Sequence, residues 1–140
     1  MPEGSYAFFD HAADVGVELR ADSAEQLFVT AGQALMAWIG PPPATAAGIS
    51  LNLEVEAEDL ETLLVRWLRE ILYLFHQKHA YFLGTHRLSV SDQGASAQAD
   101  FSLWQDASYR DYQEVKAITY HQLRVVREGD FWRARIIFDI

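Results

Sequence analysis

The chain has 140 residues, half of them hydrophobic, a formal net charge of −9 and no cysteine. This length suits one domain, residues 1–140, with a sizeable core; the missing cysteines exclude disulfides, thiolate metal sites and thiol nucleophiles; the acidic balance argues against strong direct binding to a nucleic-acid backbone. No apolar run approaches the roughly 20 residues that span a bilayer, and Met1-Pro2-Glu3-Gly4-Ser5 shows neither a basic nor an apolar leader, so a cytoplasmic protein without membrane contact is expected.

In chain order, the first distinctive stretch is Phe9-Asp10-His11-Ala12-Ala13-Asp14-Val15-Gly16. No helical or strand period explains its two carboxylates and imidazole. Such groups resist an apolar core unless paired or bound to something. Val15, Val17, Leu19 and Ala21 then alternate with polar or small residues, which predicts a half-buried strand. Ser23-Ala24-Glu25-Gln26 reads as a capping box. Leu27, Phe28, Ala31, Leu35 and Trp38 continue at helical spacing until Gly40-Pro41-Pro42-Pro43, where proline ends the helix.

Ile49 to Ala57 alternates cleanly and predicts a second strand. Asp59 is placed to cap a helix, and Leu60, Leu63, Leu64, Trp67, Leu68, Ile71, Leu72 and Phe75 form one apolar stripe, read as core. His76, His79 and His86 fall at element ends and read as surface residues. Tyr81–Leu83 and Leu88–Ser91 read as short strands, Asp92-Gln93-Gly94 as a turn, and Ala97–Leu103 as another strand. A polar loop from Gln105 to Glu114 leads to two final strands, Val115–Val126 and Phe131–Ile140, joined by a hairpin turn at Arg127-Glu128-Gly129-Asp130. The order of elements predicts an α+β fold: a largely antiparallel sheet with two helices packed on one face.

Charge is uneven along the chain. Arg20 is the only Lys or Arg before residue 60, whereas Lys116, Arg124, Arg127, Arg133 and Arg135 crowd the last quarter. The acidic body suits a basic partner protein; the basic patch suits an anion or is simply a solvated hairpin face.

The chain stops at Ile137-Phe138-Asp139-Ile140. With Glu128-Gly129 as a two-residue turn, Ile118 faces Asp139, Ala117 faces Ile140, and Lys116 lies just beyond. The two ends are expected to meet. Asp14, Asp139 and the carboxylate of Ile140 would repel one another unless a proton, a lysine or a cation neutralises them. Such an oxygen-rich set suits Ca²⁺ or Mg²⁺, and His11 would admit Zn²⁺. The plainer alternatives are that Asp139 is solvated, that Asp10 or Asp14 caps a turn, and that His11 is structural.

The first stretch resembles the Asp-His-Thr-Ala-Asp-Ile/Val motif that opens archease proteins. Glu56-Ala57-Glu58-Asp59-Leu60-Glu61 with Leu63-Leu64, then Glu114-Val115-Lys116-Ala117-Ile118-Thr119-Tyr120-His121, then Asp139-Ile140, are similar to the family's later signatures, in order along nearly the whole chain. The resemblance implies a small α+β protein that is not itself an enzyme. It implies an activator of the RNA-splicing ligase RtcB that promotes guanylylation of the ligase and its multiple turnover. It further implies metal ligation by Asp14, Asp139 and Ile140, with Asp10, His11, Lys116 and His121 as neighbours. Ala12 stands where the family usually has Thr, so any role for that hydroxyl is lost, and Arg110-Asp111 stands where the family often carries a basic-His pair. Two other readings compete: a metal-dependent hydrolase using His11 or His121 as base, and a chaperone-like adaptor for RNA-processing proteins.

Overall fold

The computed structural model describes residues 4–11, 13–43, 47–104 and 112–140, with the side chain of His11 excepted. The strands are β1 (Ser5–His11), β2 (Asp14–Ala21), β3 (Ala47–Glu56), β4 (Ala80–Val90), β5 (Gly94–Leu103), β6 (Ala117–Glu128) and β7 (Phe131–Asp139). The helices are α1 (Ala24–Ile39), between β2 and β3, and α2 (Leu60–Lys78), between β3 and β4. The α+β class and its antiparallel pairing are as expected, but the strands divide into two sheets, ordered β1-β2-β7-β6 and β3-β5-β4. Alternation shows that a strand has one buried face; it does not say which strand lies beside it. Each helix packs against both sheets, α1 on β2 and β4, α2 on β6, β3 and β4. One apolar core therefore lies against the helix-facing sides of both sheets.

Both helix starts follow their local chemistry. Ser23 accepts a hydrogen bond from the Gln26 amide at 3.0 Å, and Asp59 accepts one from the Thr62 amide at 2.7 Å, each satisfying a donor that the helix leaves open. Those hydrogen bonds, first from the Thr62 amide and then from its hydroxyl, hold the Asp59 carboxyl below its ordinary value. At the far end of α1, Gly40 takes φ 152° and donates to Met36 O at 2.9 Å. A Cβ at Gly40 would also overlap the Tyr112 ring, so a side chain is excluded twice over. The last carbonyls of α1 are met by the Gln113 amide on Ile39 at 3.0 Å and the Gln113 side chain on Trp38 at 3.0 Å. Tyr81 donates to Gly40 O at 2.6 Å.

The helices are tied together by Trp67, whose buried indole N–H donates to Phe28 O at 2.9 Å. Arg69 then fastens α2 to β6, donating to Ile118 O at 3.3 Å from Nε and 3.0 Å from Nη2. Two elements depart from the sequence reading. Tyr81–Leu83 and Leu88–Val90 belong to the single strand β4, which ends before Ser91 and whose register slips between Phe82 and Gly84 and again between Thr85 and Arg87. β1 was not expected at all. It is an edge strand whose residues Ser5–Phe8 are exposed, so it lacks the apolar alternation that marks a half-buried strand.

Candidate functional site at the end of the four-stranded sheet

β1 and β2 form a hairpin that closes with His11 paired to Asp14. β2 then runs beside β7, whose last pair is Asp14 opposite Asp139. β6 begins on the other side of β7, with Ala117 opposite Asp139. His11, Asp14, Asp139 and Ala117 thus form one row of main-chain partners across all four strands. The Lys116 amide extends the row by donating to Asp139 O at 2.7 Å. The Asp14 stretch, at the β1–β2 turn, and the C-terminal Asp139 meet, as the sequence indicated.

The register of the β6–β7 hairpin corrects one expectation. The turn residues are Gly129-Asp130, with Glu128 opposite Phe131, and Gly129 takes φ 61° at the first central position. That turn alone would set Asp139 against Tyr120, but Asp139 faces Ala117, not the expected Ile118. The difference also arises from a bulge. Arg124 pairs with Arg135, but Thr119 pairs with Ile137, so Tyr120–Leu123 stand against Ile136 alone. Gln122 in that bulge has φ 54°, a left-handed conformation uncommon outside glycine.

Directly opposed residues on antiparallel strands project from the same face, with Cβ atoms about 4.5–5.5 Å apart. Asp14 and Asp139 thus present two carboxylates side by side on the face turned away from the helices. Both are half-buried. Like charges in this position destabilise the pair unless something positive meets them. Asp10 pairs with buried Val15 and so lies on the opposite face from Asp14. Lys116 meets the site through its main chain; its side chain lines a surface hollow of about 350 Å³ with Arg69, Tyr73, His76 and Gln77 of α2. His121 sits in the bulge, exposed, its amide donating to Thr119 Oγ1 at 3.2 Å. Ile140 directly follows Asp139 and is 37% exposed. Ala12, Arg110 and Asp111 lie outside the described residues, as does the side chain of His11.

Among the described residues no three His, Asp or Glu side chains gather as a ready metal cage. The donor set is instead a carboxylate pair, suited to a hard cation that completes its shell with main-chain oxygen and water. The oxygen donors of the pair fit such an ion.

Sequence reasoning missed the residues that support this edge. A Cβ on Gly16 would overlap the Phe9 ring, so Phe9 lies across Gly16, whose other neighbour is buried Ile137. The Phe9-to-Gly16 spacing carries that signal only once β1 is recognised as a strand. Arg135 lies over the same Phe9 ring, 4.6 Å from its centroid. Of the remaining histidines, His86 contacts Asp100 at 3.0 Å and Gln98 at 2.8 Å, and His79 takes φ 55° at the end of α2. Both lie on elements other than the strands of the site.

Two helices and paired antiparallel sheets, with Asp14 and Asp139 brought together at one end of the four-stranded sheet, define a small α+β protein. The chain belongs to the archease family: the model of the Archease protein family (MTH1598/TM1083) matches residues 6–140. It is similar to the protein archease of Methanosarcina barkeri, at 30% identity over 96% of this chain and 95% of that protein. It is likewise similar to the protein archease of Pyrococcus furiosus, at 30% identity over 94% and 96%. Its fold matches the solution structure of Methanobacterium thermoautotrophicum protein 1598, with TM-score 0.72 and 24% identity over 96% of this chain and 98% of that one.

Proposed function

We propose that this protein is a metal-binding accessory factor that activates an RNA-splicing ligase of the RtcB type, promoting its guanylylation and repeated turnover in tRNA splicing or RNA repair. Membership of the archease family supports the reading. The observation that carries it is the pairing of Asp14 with Asp139 at the closed end of the four-stranded sheet. In this proposal Asp14, Asp139 and a main-chain oxygen of Ile140 hold a divalent cation. Oxygen donors favour Ca²⁺ or Mg²⁺; Zn²⁺ would call for a nitrogen donor such as His11. The cation would lend a fixed positive charge to an otherwise acidic surface. The chain's own residues supply the frame: the β2–β7 ladder sets the carboxylate spacing, and the Lys116 amide fixes Asp139.

The proposed role is not enzymatic and is cytoplasmic. No helix among the described residues is long and apolar enough to cross a membrane. The test is a ligase assay with a limiting amount of RtcB-type enzyme and excess broken RNA. The wild-type protein should convert a single-turnover reaction into a multiple-turnover one, and Asp14→Ala should not, while keeping a native circular dichroism spectrum. Equal stimulation by Asp14→Ala would remove this site from the function. No stimulation by the wild type would refute the ligase role.

A further inference from the structure

The acidic chain concentrates its arginines on one outer face. Arg20 of β2 pairs directly with Arg133 of β7, and Arg135 of β7 pairs directly with Arg124 of β6. By strand alternation all four side chains share the face that also carries Asp14 and Asp139. Asp139 is four residues from Arg135, about 13 Å at the rise of a strand. Two cross-strand pairs of like charge side by side are each destabilising. A sheet selected only for stability would not place them so.

The charges are incompletely met. Glu18 Oε2 accepts from Arg135 Nε at 2.6 Å, Gln122 Oε1 accepts from Arg135 Nη1 at 3.0 Å, and Glu128 accepts from Arg133 at 3.2 Å. Arg20 is stacked on Phe131 at 3.7 Å. Arg124 makes no hydrogen bond or ion pair with the described residues. Four guanidinium groups against Glu18 and Glu128 leave a net positive patch. All of these except Arg20 line a cleft of about 570 Å³ with Gln122, Leu123, Val126 and Ala134. The bulge builds it: Gln122 is turned by its left-handed backbone to hold Arg135 from the β6 side. A bulge of this kind commonly re-aims a side chain beside a site.

We propose that the cleft between Arg124, Arg133 and Arg135 is a phosphate-binding site. A phosphate offers several strong acceptor oxygens out of one plane, so it can be gripped by forks arriving from two strands. A carboxylate offers two acceptors in one plane, and Glu18 and Glu128 already supply those. The site is distinct from the carboxylate pair and needs no metal.

The experiment is calorimetric titration of the full chain, free of divalent cations and at low salt, with two probes: inorganic phosphate and a short unstructured RNA lacking terminal phosphates. Saturable binding is expected for at least one, weakening as salt is raised because the patch is exposed. Binding of RNA alone assigns the site to phosphodiesters; binding of inorganic phosphate alone assigns it to a free phosphate or phosphomonoester. Arg124→Ala should weaken binding at least fivefold. Arg87→Ala on β4, in the other sheet, should leave it within twofold. No saturable binding of either probe overturns the proposal, and so does equal affinity in Arg124→Ala. If Arg124→Ala and Arg124→Gln both lose the native circular dichroism spectrum, Arg124 is structural and the proposal is again overturned.

Discussion

Asp139→Asn gives the sharpest test of the carboxylate pair because it predicts two shifts of opposite sign. The substitution keeps size and shape and leaves the main-chain carbonyl that receives the Lys116 amide in place. It removes one of two carboxylates that face each other across β2 and β7. Relief of a directly opposed like-charge pair is worth about 0.2–1 kcal/mol. A chain of 140 residues has an unfolding entropy near 0.3 kcal/mol per degree, so the metal-free variant should melt about 1–3 °C above wild type. With Ca²⁺ at a hundred times its dissociation constant, the wild type should gain about 2.7 kcal/mol, or roughly 9 °C. Loss of one anionic ligand that weakens binding tenfold removes about 1.4 kcal/mol of that, near 5 °C. The order of melting temperatures should therefore reverse when Ca²⁺ is added. Differential scanning calorimetry of both proteins, with and without Ca²⁺, reads this directly. A variant that melts lower in both conditions would show Asp139 to be a structural residue. Equal Ca²⁺ shifts would show that it ligates nothing.

Three further outcomes follow from the fold. Burial, reinforced by Tyr112 and Tyr6, pushes the Tyr81 hydroxyl up to about 12 from its ordinary 10, so its contribution is intact below pH 10 and is lost as pH rises from 10 toward 12; Tyr81→Phe should flatten that alkaline decline in urea midpoints, and an unchanged slope would assign the decline elsewhere. The Asp59 carboxyl is held below its ordinary 3.8, so its contribution is present above pH 3.8 and is lost as pH falls below it; Asp59→Ala should cost stability at pH 7 and progressively less below pH 3.8, read from the same denaturant curves. Trp67→Phe leaves Phe28 O without its buried donor and a void beside it, so chemical unfolding should show a loss of about 2–4 kcal/mol; a loss below about 1 kcal/mol would mean that a neighbour or water replaces the bond.

Both helices and the meeting of the two ends were legible in the sequence because each rests on local chemistry. Ser23 and Asp59 name their helix starts, Gly40 and three prolines name an end, and the apolar stripe of α2 allows only one buried face. The opposition of Asp14 and Asp139 was legible in outline, since each is a carboxylate that an apolar setting tolerates only when it is paired or bound. What was not legible was pairing. β1 flanks the site as the edge strand beside β2, yet its exposed residues carry no strand period, and only its register against β2 reveals Phe9 lying over Gly16.

The β6–β7 hairpin shows the same limit more sharply. A uniform register from the Glu128–Phe131 pair would place Asp139 against Tyr120. The bulge adds three residues to β6 alone, and an odd insertion exchanges the faces of everything beyond it. Ala117 and Thr119 before it and Arg124, Val126 and Glu128 after it therefore share the outer face. Had the insertion been even, Arg124 and Thr119 would point to opposite sides, and the arginine cleft and the carboxylate row could not occupy one surface. The backbone of Gln122, costly for a residue with a Cβ, is thus spent where it aligns two charged regions of opposite sign on a single sheet face. No periodicity in the sequence records that alignment, because it depends on a count of residues between pairs and not on the chemistry of any one of them.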